Sequence, residues 1–132
     1  MMEDNRSNLV VIVVGYTEPM HKFIEANPGL QSRFNKTIRF DDYTPAELAA
    51  IFGYFARKAN YLLPPQTEAA LLAVWERLYA ARTANFGNAR TVRNVFERTI
   101  NRQATRIGSA AGMISEEALK TLLPEDIAAD AG

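Results

Sequence analysis

Cysteine is absent from the 132-residue sequence and histidine occurs once, at His21. Disulfides and thiolate metal sites are excluded, and a zinc cluster or a Ser-His-Asp triad has little support. Long hydrophobic runs are missing too. The longest uninterrupted apolar stretch, Leu9 to Val14, falls far short of the ~20 residues that a membrane helix needs. No signal-peptide pattern is present. Repeats, low-complexity tracts and flexible linkers are likewise lacking. These absences point to a soluble, cytoplasmic protein without membrane partners. Net charge is zero, which argues against a protein built mainly to bind polyanions.

With 48% apolar residues, the chain can bury one modest core, so one domain with an appendage is the upper bound. Leu9 to Val14 is rich in β-branched residues without polar alternation, as in a parallel strand covered on both faces. Thr17 is positioned to cap a helix carrying Met20, Phe23 and Ile24, which should end near Asn27-Pro28-Gly29 because proline disfavours helical geometry in the residue before it. Thr37 to Phe40 reads as a second, short strand.

From residue 44 the pattern becomes helical. Thr44-Pro45-Ala46-Glu47 is a capping box with proline at the first helical position, and Leu48, Ile51, Phe52 and Phe55 follow on one face. A second helix starts at Thr67 after Pro64-Pro65 and repeats Leu71, Leu72, Trp75, Leu78 and Tyr79. A third, from about Asn88 to Ile107, should bury Val92, Val95, Phe96, Ile100 and Ala104. A short fourth begins at Ser115-Glu116-Glu117 and ends at Leu122-Leu123-Pro124. Pro124 to Ile127 reads as a final turn. Tyr61 and Phe86 are expected to pack in the core.

Charge is unevenly placed. Arg82, Arg90, Arg93, Arg98, Arg102 and Arg106 face only Glu97 in their stretch, whereas the segment after Ser115 is acidic. The acidic tail is therefore positioned to neutralise part of the arginine-rich helix.

Two segments carry the chemistry. In Asn27-Pro28-Gly29-Leu30-Gln31-Ser32-Arg33-Phe34 the arginine stands in a turn just before the second strand. In Gly87-Asn88-Ala89-Arg90-Thr91-Val92-Arg93-Asn94 it stands in the opening turn of the third helix. Guanidinium is planar, permanently charged and able to give paired hydrogen bonds to phosphate oxygens, which suits it to charge that develops during phosphoryl transfer. Together with Met2 to Arg6, Leu9 to Tyr16 and Leu123-Pro124-Glu125-Asp126-Ile127, these segments resemble the AAA+ ATPases of the CbbX and stage V sporulation protein K (SpoVK) branch over nearly the whole chain. The Gly29 to Phe34 loop looks nearer the sporulation type.

The resemblance implies a fold and a set of roles. Residues 1–43 would be the last part of the αβα core, contributing the final two strands of a parallel sheet. Residues 44–132 would be a four-helix lid bundle. Arg33 matches the arginine finger, acting in trans on the γ-phosphate held by a neighbouring subunit. Arg90 matches the sensor 2 arginine, with Gly87 and Asn88 forming its turn and Arg93 one turn further on. Arg93 is placed either to assist Arg90 or to brace the acidic tail. Tyr16, followed by Thr17, is the sensor 1 candidate, although many relatives carry a Thr-Asn pair there. For Arg33, pairing with Asp41 or Glu25 as a plain surface arginine is the alternative.

No Gly-x-x-x-x-Gly-Lys-Ser/Thr pattern occurs, and no apolar strand ends in the Asp-Glu pair of a Walker B motif; Phe40-Asp41-Asp42 comes closest. ATP and magnesium would thus be held chiefly by a P-loop half expected upstream of Met1. By itself this chain is expected to be inactive. In the intact protein it would belong to a ring, a hexamer by resemblance, that remodels a client protein. The unpaired strand edges lead us to expect dimers or larger assemblies. Two other functions fit parts of the sequence. One is a nucleic-acid-binding module using the Arg98, Arg102, Arg106 stripe; the other is a helical adaptor that assembles through its exposed strands.

Overall fold

The computed structural model describes residues 10–34, 36–110 and 112–127. The chain forms two compact units, Met1–Phe40 and Asp41–Gly132.

In the first unit, α1 (Thr17–Ala26) and α2 (Pro28–Arg33) pack on each other without burying a residue completely. Pro28 both ends α1 and starts α2. Its ring disfavours helix in Asn27, and it then occupies the first helical position, where a missing N–H costs nothing. The expected turn around Arg33 is therefore a short helix, with Arg33 at its end. The N-cap of α1 is Tyr16, not Thr17, and no side chain caps it.

The two expected strands do not form among the described residues, where the only bridge is Leu62 with Thr121. Val10 to Val14 and Thr37 to Phe40 lie exposed as irregular chain, Val10 at 84% and Val14 at 87%. A parallel strand is held by hydrogen bonds to neighbours distant in sequence, and none of the described residues of this unit supplies them. Leu9 lies outside the described residues.

The second unit follows the helical reading closely. Its long helices are α3 (Pro45–Lys58), α4 (Pro65–Ala80) and α5 (Ala89–Ser109), followed by α6 (Glu116–Lys120) and a 3-10 turn at Pro124–Asp126. The capping box at the start of α3 is complete. Thr44 Oγ1 accepts from the Glu47 N–H at 3.3 Å, and Glu47 Oε1 accepts from the Thr44 N–H at 3.0 Å. Thr44→Ala should cost about 1 kcal/mol, lowering the melting temperature by roughly 4–8 °C in a unit of this size, readable by circular dichroism.

Helix α3 ends in a motif absent from the sequence reading. Asn60 takes a positive φ of 65°, the Tyr61 N–H reaches back to the Ala56 carbonyl at 2.8 Å, and the Asn60 N–H reaches Arg57 O at 3.1 Å. This is a Schellman closure, with asparagine in the left-handed conformation more often taken by glycine.

Helix α3 packs against both α4 and α5, while the Pro124–Asp126 turn also touches α4 and α5. The core gathers Leu48 and Phe52 from α3, Leu71, Val74 and Trp75 from α4, Val92 and Val95 from α5, and Leu122 from the tail. Phe96 meets Phe52 edge-on at 5.4 Å between centroids, and Tyr61 meets Phe96 similarly at 6.2 Å. Tyr61 and Phe86 pack against this core as expected.

Ala104 is exposed, whereas Thr99 and Gln103 are buried on α5. Beyond Val95 the inner stripe turns polar, Thr99 bonding within α5 and Gln103 reaching the tail's backbone. Gln103 Nε2 donates to Leu119 O at 2.8 Å, and Thr99 Oγ1 donates to Val95 O at 2.8 Å. The tail is fastened further by Thr67 Oγ1, which donates to Leu122 O at 2.7 Å, and by Leu62, whose N–H and carbonyl bond Lys120 and Leu122.

Candidate nucleotide-contact arginines

Arg90 is the second residue of α5 and is exposed. The first turn of α5 contains no acidic residue. A cation there opposes the helix macrodipole, which favours anions at an N-terminus. The same potential, added to the guanidinium, makes the spot attractive to a phosphate. No ion pair engages Arg90 among the described residues.

Gly87 and Asn88 form the turn that launches this helix. A Cβ at Gly87 would stand 2.6 Å from Thr91 Oγ1, so the turn closes tightly on the helix it precedes. Asn88 sits at φ 49° and ψ −117°. Its Oδ1 accepts from the Tyr43 N–H at 2.8 Å, and its Nδ2 donates to Asp42 Oδ1 at 2.9 Å and to Phe86 O at 3.1 Å. The amide is thus engaged within the second unit.

Arg93 is exposed and holds its guanidinium carbon 5.2 Å from the centre of the Phe55 ring, a cation–π contact between α5 and α3. Bracing of the acidic tail falls to Arg106. Its Nε and Nη2 donate to the two oxygens of Asp126, both at 2.9 Å, and Nη2 also donates to Thr121 O at 3.2 Å. Asp126 is 1% exposed and additionally accepts from the Leu123 N–H at 2.8 Å. The hydrogen bonds that Arg106 donates to Asp126 raise the Arg106 pKa above its ordinary value, against partial burial. The pairing signal lay in the opposed charges of α5 and the tail, though not the choice of partners.

In the first unit, Arg33 is exposed at the end of α2, and its Nη1 donates to Gly29 O at 3.1 Å. Tyr16 and Thr17 are both exposed at the start of α1. The sequence-derived residues therefore fall into two groups. Gly87, Asn88, Arg90 and Arg93 come together at one end of α5, while Tyr16, Thr17 and Arg33 belong to the first unit.

A surface depression of about 410 Å³ lies toward the other end of α5, lined by Asn101, Arg102, Thr105, Arg106, Glu125 and Asp126. It surrounds the Arg106–Asp126 pair. Among the described residues no group of three or more His, Cys, Asp or Glu side chains is gathered for a metal, and no helix is long and apolar enough to cross a membrane.

Comparison with known proteins agrees with this architecture. A profile of the AAA lid domain family matches residues 44–132. Protein CbbX of Cereibacter sphaeroides is 41% identical over 98% of this chain, and Protein CfxQ of Xanthobacter flavus is 39% identical over 98%. The chloroplastic ribulose bisphosphate carboxylase/oxygenase activase of Cyanidioschyzon merolae is 38% identical over 96%. The chain spans 41%, 40% and 43% of the length of these three relatives. It belongs to the AAA lid domain family and corresponds to the C-terminal portion of AAA+ ATPases of the CbbX family.

Proposed function

We propose that this chain supplies the lid and two phosphate-directed arginines to an AAA+ ATPase whose P-loop lies in a preceding half. The observation that carries this reading is Arg90, exposed in the first turn of α5 where the helix dipole favours an anion instead. Arg90 would hold a phosphate of the nucleotide bound in its own subunit. Arg33 would reach the terminal phosphate bound by a ring neighbour, a hexamer being the proposed assembly. Tyr16 and Thr17 are candidates to orient the attacking water. Magnesium and the phosphate cradle would come from the P-loop half, which would also offer the strands that Val10 to Val14 and Thr37 to Phe40 lack here. When bound, ATP and magnesium supply the phosphoryl group and the neutralising charge for its transfer.

Hydrolysis would move the lid and so remodel a client protein. One relative is named as a ribulose bisphosphate carboxylase/oxygenase activase, which makes that enzyme the first client to assay. The nucleic-acid reading loses support from the engagement of Arg106 by Asp126, which removes one member of the arginine stripe.

In the intact ATPase, Arg90→Ala should raise the KM for ATP roughly tenfold or more, because a hydrogen bond to a charged group is worth about 1.5–3 kcal/mol. Steady-state kinetics with an unchanged KM would refute the sensor role.

A further inference from the structure

Asn88 does something that a nucleotide contact does not require. Its side chain bridges forty-five residues of sequence to grip both Asp42 and Tyr43, the segment through which the chain enters the lid just after the boundary between its two compact units. Asp42 is held from a second direction by Arg82, at 3.3 Å. Arg82 in turn donates to Tyr79 O at 2.8 Å and lies 3.7 Å over the Tyr79 ring, at the end of α4. The lead-in segment is therefore fastened simultaneously to the end of α4 and to the start of α5.

The backbone conformation adds a second observation. At φ 49°, glycine would fit without strain, yet the chain carries asparagine. What asparagine adds is the amide, and both ends of that amide are in use.

We infer that Asn88 is a positioning residue that clasps the lead-in segment to the first turn of α5 and so fixes how Arg90 is presented to nucleotide. Displacement of Asp42 or Tyr43 pulls on residue 88, and Arg90 lies two residues further along the same chain. The inference rests on the sensor 2 reading of Arg90.

The test is a double-mutant cycle in the intact, P-loop-containing ATPase. Asn88→Gly removes the amide and accommodates the positive φ. It should raise the KM for ATP by about threefold or more, while in an Arg90→Ala background it should add little. Asp42→Ala, which breaks the clasp from its other side, should reproduce the Asn88→Gly effect and decides the matter if the glycine variant does not fold. Thermal melting of each variant separates loss of fold from loss of positioning. An unchanged KM in folded Asn88→Gly or Asp42→Ala, or effects that multiply fully with Arg90→Ala, would overturn the clasp while leaving the sensor reading intact. An Arg90→Ala protein with normal KM would overturn the sensor reading, and the clasp with it.

Discussion

Arg33→Ala in the assembled ATPase should lower ATP turnover by about 10³-fold, the lower end of what arginine fingers contribute in nucleotide hydrolases, with a much smaller effect on ATP binding. The charge on the transferring phosphoryl oxygens rises on the way to the transition state, so a guanidinium aimed there acts on kcat more than on KM. Arg33 is exposed at the end of a short helix, and its side chain leans back on the Gly29 carbonyl. A trans role carries its own signature. Arg33→Ala subunits mixed with P-loop-defective subunits should regain activity, because the second kind still offers Arg33 to the intact pockets of the first. Unchanged turnover in Arg33→Ala homo-oligomers would remove the finger assignment.

Arg106→Ala is expected to have the largest effect on stability. Asp126 is 1% exposed, and both its oxygens receive Arg106. Removing the guanidinium strands a carboxylate in the interior, a change that typically costs about 3–5 kcal/mol. In a unit of this size the melting temperature should fall by roughly 12 °C or more. The cost belongs to the orphaned charge more than to the pair itself. An Arg106→Met, Asp126→Leu double variant should therefore recover much of the loss. A single variant that melts within two or three degrees of the parent would show that the buried contact contributes little.

The lid was largely legible because its signals are local. Thr44 and Glu47 announce a helix start within four residues, and Leu48, Phe52, Leu71, Trp75, Val92 and Val95 reveal buried faces through their spacing. The start of α6 at Ser115-Glu116-Glu117 was equally readable, and Ser115 Oγ accepts from the Ala118 N–H there. Legibility ended where structure depends on distant partners. Val10 to Val14 has the composition of a strand, but composition cannot provide the neighbours to which a strand must bond. The burial of Gln103 depends on its bond to Leu119, across the turn into the tail, a partner that no local pattern announces. At the candidate site, Arg90 and its turn could be placed from sequence, whereas the grip of Asn88 on Asp42 and Tyr43 could not. No short-range pattern announces a bond between residues so far apart.

The placement of Leu122 has a consequence for biosynthesis. Leu122 is completely buried beside residues contributed by three earlier helices, and its carbonyl satisfies Thr67. Helices can begin to coil as they leave the ribosome, but this interior stays unsealed until that leucine has been translated and swung back across the gap. Closure of this interior thus waits on residue 122, and a nascent chain arrested before that point is expected to present apolar surface to chaperones.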